Sequence, residues 1–120
     1  MAVSAVNLAD LAASLFKDTV SANSAVVVKA SSAVVYAIVI DNTANGAASY
    51  TKLWNSAGAV TVGTTAPDEI ILVPASTKIT LIYVGGKTFG TGLQEATVTA
   101  AGTAGTTSPT SSVIVEIVYT

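Results

Sequence analysis

The chain has no cysteine, no histidine and no arginine. Without cysteine there can be no disulfide, thiolate zinc site or cysteine nucleophile. Without histidine the usual general base and the commonest metal ligand are missing. Together these absences remove most hydrolytic and transition-metal chemistry, so no catalytic residue, no cofactor and no metal is expected, and the protein is not expected to be an enzyme. Phosphate clamping and base readout favour arginine. The five lysines, Lys17, Lys29, Lys52, Lys78 and Lys87, are scattered rather than clustered, so a nucleic-acid partner is not expected. Charged residues make up 10% of the chain, against about 25% in ordinary soluble domains. No apolar run approaches the ~18 residues of a membrane helix, so no membrane partner is expected. The first residues, MAVSAVNLADLAASLF, lack the positive region of a signal peptide, and Asp10 interrupts them. Synthesis in the cytoplasm is the expectation.

What is present is apolar. Hydrophobic residues make up 51% of 120 residues, and the net charge is −2. A chain of this length is expected to form one domain and to bury roughly two-thirds of its unfolded surface. So few charges leave a monomer short of material for a mixed, patch-free surface, which favours assembly. The bland alternative is a surface of Ala, Gly, Ser and Thr.

Residues 34–54, VVYAIVIDNTANGAASYTKLW, organise the rest. Seven apolar residues rich in Val and Ile open the stretch, the types that suit a pleated strand. Asp41, Asn42, Asn45 and Gly46 break the run, and a second strand is predicted over residues 47–54. Asn-Gly tolerates positive φ, so the pair is expected to form a β-hairpin. Both faces of the first strand are apolar, which predicts cover on both sides.

Further strands are predicted over residues 25–29, 59–62, 69–73, 78–84, 95–99 and 112–119. Residues 85–93, GGKTFGTGL, imitate only the end of a phosphate loop and lack its spacing and its helix. A connection with positive-φ residues is expected there, with Phe89 and Leu93 in the core. Residues 100–112, AAGTAGTTSPTSS, are low in complexity and should form a long exposed loop. The final strand should be pinned inside a sheet.

Residues 1–22 differ. Leu8, Leu11, Ala12, Leu15 and Phe16 fall on one helical face, and Asn7 could cap it, so a short helix over residues 8–17 is expected. Its apolar side would cover the domain's own sheet or dock on a neighbouring subunit. The predicted organisation is an arm or short helix over residues 1–22 and a domain over residues 23–120. The fold class is all-β, a two-sheet β-sandwich of about eight strands, jelly-roll or immunoglobulin-like.

Seven carboxylates remain: Asp10, Asp18, Asp41, Asp68, Glu69, Glu95 and Glu116. A glycosidase needs two across a cleft. Only Asp68 and Glu69 are adjacent, and neighbours on a strand point to opposite faces. Structural roles are expected for all seven. Trp54, the only tryptophan, belongs in a core by default and is an interface candidate second.

Three segments carry a resemblance: YAIVIDNTANGAASYTKLWNS, then GTTAPDEIILVPAS, then GKTFGTGLQEATVT. An apolar strand is closed by Asp41-Asn42 and Asn45. Tyr50 and Leu53-Trp54-Asn55 follow, then Gly63, Pro67-Asp68, Val73-Pro74, Phe89 and Gly92-Leu93. Over residues 34–99 the chain resembles small virion structural proteins of tailed bacteriophages. That resemblance implies a β-sandwich on the outer capsid surface: a decoration or cement protein, commonly a homotrimer, with the major capsid protein as partner. Others of this look belong to the tail or the head–tail connection. A carbohydrate-binding sandwich module is the alternative of a different class. Leu8, Leu11, Leu15 and Phe16, with Trp54 second, are the candidate partner-binding residues.

Overall fold

The computed structural model describes residues 13–120, and the strands within them form two four-stranded antiparallel sheets. The strands are β1 Ser14–Ser21, β2 Val26–Lys29, β3 Ala33–Asp41, β4 Ser49–Trp54, β5 Glu69–Val73, β6 Lys78–Phe89, β7 Leu93–Val98 and β8 Val113–Tyr119. Sheet A has the order β1-β8-β3-β6 and sheet B the order β2-β7-β4-β5. First pairs with last, second with seventh, third with sixth, and fourth with fifth. That nested pairing is one long hairpin rolled up, the jelly-roll arrangement, and it decides between the two topologies that strand spacing leaves open.

The core lies between the sheets. Val35, Ile38 and Ile40 of β3 and Val113, Val115 and Ile117 of β8 meet Leu53, Ile71, Val73 and Leu93 of sheet B. Phe89 and Leu93 are buried as expected. The last strand is pinned between β1 and β3.

Several expectations are corrected. Residues 14–17 are strand, not helix, and residues 8–12 of the predicted helix, with Leu8 and Leu11, lie outside the described residues. The i, i+4 spacing of Leu11 and Leu15 continues into Phe16-Lys17-Asp18-Thr19, which alternates in burial because β8 offers β1 a ladder. The sandwich thus takes in Ser14–Ser21, which the sequence assigns to the arm.

The stretch around Asn45-Gly46 is not a hairpin. β3 belongs to sheet A and β4 to sheet B, so residues 42–48 cross between sheets. Asn42 holds the crossing. Its buried Nδ2 donates to the carbonyls of Ala47, Val73 and Pro74, and its Oδ1 accepts from Asn45 Nδ2 and Ser49 Oγ. Asn45 also exchanges two hydrogen bonds with the Ser111 backbone. Three crossings at one end of the sandwich are thereby tied together. An Asn amide can satisfy several buried backbone groups at once, which a turn signal read locally does not reveal.

Residues 59–62 form no strand; they belong to a loop over residues 55–68. β7 is buried along its whole length. The outer face of β3 is only half covered. In β6, residues 83–86 stand opposite the single residue Tyr36 of β3. Gly85 and Gly86 adopt positive φ there, and a Cβ on Gly86 would meet Val34 Cγ1 at 2.5 Å. Only glycine suits such a bulge.

Candidate functional site

The two sheets treat their outer faces differently. Over sheet B the two long loops form a roof. Trp54 of β4 points outward, is 1% exposed, and donates from Nε1 to the Thr65 carbonyl at 3.0 Å. Gln94 of β7 donates to the carbonyls of Ser56 and Gly58. Lys52 is fully buried, and its Nζ donates to the carbonyls of Gly102 and Gly105 at 2.7 and 3.2 Å. Burial lowers its pKa. Residues 100–112 form the expected long, largely exposed loop, and it folds over the middle strands β4 and β7. Gly63 lets the two loops touch, because a Cβ there would meet Thr106 Cγ2 at 2.4 Å.

Sheet A has no such roof among the described residues. Register places Leu15, Val118, Ala37 and Ile82 in one row across all four strands. Leu15 is 61% exposed, Ile82 64% and the nearby Val84 95%. The next row, Lys17, Glu116, Val39 and Thr80, carries one charge of each sign, with Lys17 Nζ 3.9 Å from Glu116 Oε1. Leu15, Ile82 and Val84 thus stand exposed on this face, while sheet B exposes Ile70 and Leu72 on its edge strand β5; contiguous exposed apolar surface marks interaction sites.

Of the residues singled out from the sequence, Leu15 stands on this face. Phe16 is turned the other way and packs against the core. Trp54 lies in the roof over sheet B and faces no solvent. Ile82 and Val84 were not singled out, though the signal was present: the face Lys78, Thr80, Ile82, Val84 turns from polar to apolar along its length.

A second feature lies between the sheets. Across sheet B one inner row reads Val26, Glu95, Leu53, Glu69, so a carboxylate flanks Leu53 on each side. Glu69 is near the β5–β6 seam. Its two oxygens accept from Tyr83 Oη, at 2.6 Å, and from Lys87 Nζ. The Tyr83 phenol is raised in pKa, first by burial and then by that carboxylate.

Glu95 is near the opposite seam, between β1 and β2. It is fully buried. Ser21 Oγ donates to its Oε2 at 2.7 Å and lies 2.8 Å from Thr97 Oγ1, which in turn is 2.9 Å from Thr51 Oγ1. Its Oε1 accepts from no donor among the described residues, and the Asp18 side chain is a hydrogen-bond partner of the carboxyl. Burial pushes its pKa up to about 8, and Asp18 adds to the rise. The carboxyl is therefore held neutral at pH 7, which reduces the cost of burying it.

No protein-family model matches the chain, and no curated protein or solved structure matches it. Among the described residues no group of three or more His, Cys, Asp or Glu stands close enough to hold a metal ion. No described helix is long and apolar enough to cross a membrane.

Proposed function

We propose that this protein is a structural component of a tailed-phage virion, a decoration protein that binds the assembled head through the outer face of sheet A. The observation that carries this reading is the contrast between the outer faces. Two loops roof the middle strands of sheet B, and among the described residues none covers the row Leu15, Val118, Ala37 and Ile82 on sheet A. The virion class comes from the resemblance over residues 34–99. The mechanism is mass action: a subunit that binds only the assembled shell stabilises that shell. Closed cyclic symmetry around a capsid axis favours a homotrimer, with the major capsid protein as the second partner. No catalytic role is part of this reading. A sugar-binding module would need exposed aromatic platforms, and no aromatic side chain here falls in the exposed class.

Co-sedimentation with empty heads tests the proposal. The wild-type chain should bind saturably, and Ile82→Asp with Leu15→Asp should abolish binding while the fold persists. Unchanged binding by that double variant would overturn the assignment of the face. Binding to tail tubes and not to heads would move the protein to the tail.

A further inference from the structure

Each sheet ends in two edge strands, β1 and β6 in sheet A and β2 and β5 in sheet B. An edge offers unpaired backbone groups to any other strand, and folded chains block that pairing with bulges, lysines, proline or short length. Three of the four edges are blocked in this way. β1 carries Lys17 and a register shift between Asp18 and Ser21. β2 has four residues, a shift between Val27 and Lys29, and Lys29 itself. β6 begins at the exposed Lys78 and bulges at residues 83–86. β5 differs. Glu69–Val73 pairs with β4 without a shift and contains no lysine. Its one charge, Glu69, is turned inward and taken by Tyr83 and Lys87. Ile70 and Leu72 stand on its outer face, 40% and 54% exposed. Outside the β4 ladder, Asn42 Nδ2 takes the Val73 carbonyl, and the rest of the β5 backbone has no further partner among the described residues. Pro67 and Pro74 bound this open edge, so it admits one short strand.

We propose that β5 pairs antiparallel with β5 of a second copy, about a two-fold axis at Ile71, and so joins two four-stranded B sheets into one. A second copy is the partner that this strand's own sequence fits. Pairing centred on Ile71 sets Ile70 of each copy opposite Leu72 of the other on the outer face, where Tyr50 of β4 already lies beside Leu72. No like charges meet, because the strand's only carboxylate is paired inside its own sandwich. The joined sheet then ends in two β2 strands, both blocked, so the assembly closes at two. The inference goes beyond the virion reading and does not rest on it. Head binding uses the outer face of sheet A, and a two-fold contact coexists with a ring of three in dihedral symmetry.

A contact of five residues per copy is smaller than the ~1,200 Å² of a standard interface, so a concentration-dependent equilibrium is expected rather than a permanent dimer. In sedimentation equilibrium the mass of the full chain should double as its concentration rises to about 1 mM. Ile70→Lys should weaken the doubling about tenfold, because it damages two symmetric cross-strand pairs at once. Ile70→Lys with Leu72→Lys should abolish it. Ile70→Lys with Leu72→Glu should restore it, since each new ammonium group then faces a new carboxylate on the other copy. Only antiparallel pairing of β5 with itself gives that rescue. Both side chains are exposed, so all three variants should fold, which circular dichroism checks. Leu15→Asp with Ile82→Asp should leave the doubling unchanged, which separates this contact from the head-binding face. A mass that does not double by about 1 mM would overturn the proposal. So would doubling that survives Ile70→Lys with Leu72→Lys, or that Ile70→Lys with Leu72→Glu fails to restore.

Discussion

The outer faces of the two sheets differ in composition and in cover. Strand β3 of sheet A is apolar on both sides, whereas strand β7 of sheet B sets Leu93, Glu95 and Thr97 on one side and Gln94, Ala96 and Val98 on the other. β7 is buried throughout, because residues 55–68 and 100–112 fold back over it. β3 stays half covered on its outer side. The lesson is that low-complexity loops can act as cover. Residues 100–112 have too little apolar surface to form a core, but their carbonyls satisfy Lys52, and that interaction positions them. An apolar strand therefore says that cover is needed, and not whether the chain or another molecule provides it.

The sharpest way to break this contrast is to remove the roof's anchor. Trp54→Ala should cost about 3–5 kcal/mol in urea unfolding, the range for a buried tryptophan. A loss below about 1 kcal/mol would mean that Trp54 serves a partner instead.

The second effect tests the two carboxyls beneath the contrasted faces. Folded Glu95 keeps its proton up to about pH 8, whereas in the unfolded chain it loses it near 4.5. Between those values the folded state holds more protons, so this group's contribution to stability falls as pH rises, then levels off above about 8. Denaturation midpoints measured from pH 4 to 9 should show that decline, and Glu95→Gln should remove most of it. Glu69→Gln should not.

A smaller effect probes the contact between the roofing loops. Gly63 sits at φ 94° against Thr106. Gly63→Ala should cost about 1–3 kcal/mol and speed amide exchange in residues 100–112. A neutral result would mean that the loops are held independently.

The smallest expected change lies on the bare face. Ile82→Ser should alter monomer stability by no more than about 0.5 kcal/mol, because its side chain is largely in water already. Any loss of self-association or shell binding would then be an interface effect. A cost comparable to that of Trp54→Ala would show that the face is covered after all.

The residues alone determine much of this molecule. Apolar β-branched runs separated by Gly, Pro and Asn dictate an all-β chain, because period-two patterning and turn chemistry act over a few residues. The missing cysteine, histidine and arginine exclude whole classes of chemistry without any structure. The candidate face was half legible: Leu15 was singled out, and the polar-to-apolar change along Lys78, Thr80, Ile82 and Val84 was visible. The tertiary structure decided the rest, and in each case the reason is partnership between distant segments. Whether Leu15 and Phe16 share a face depends on β8, a hundred residues away, which offers β1 a ladder. Whether Asn42 closes a hairpin or ties three crossings depends on Pro74 and Ser111. Glu69 and Glu95 have the same side chain and sit in the same row, but only the fold brings Lys87 to one and leaves Asp18 beside the other.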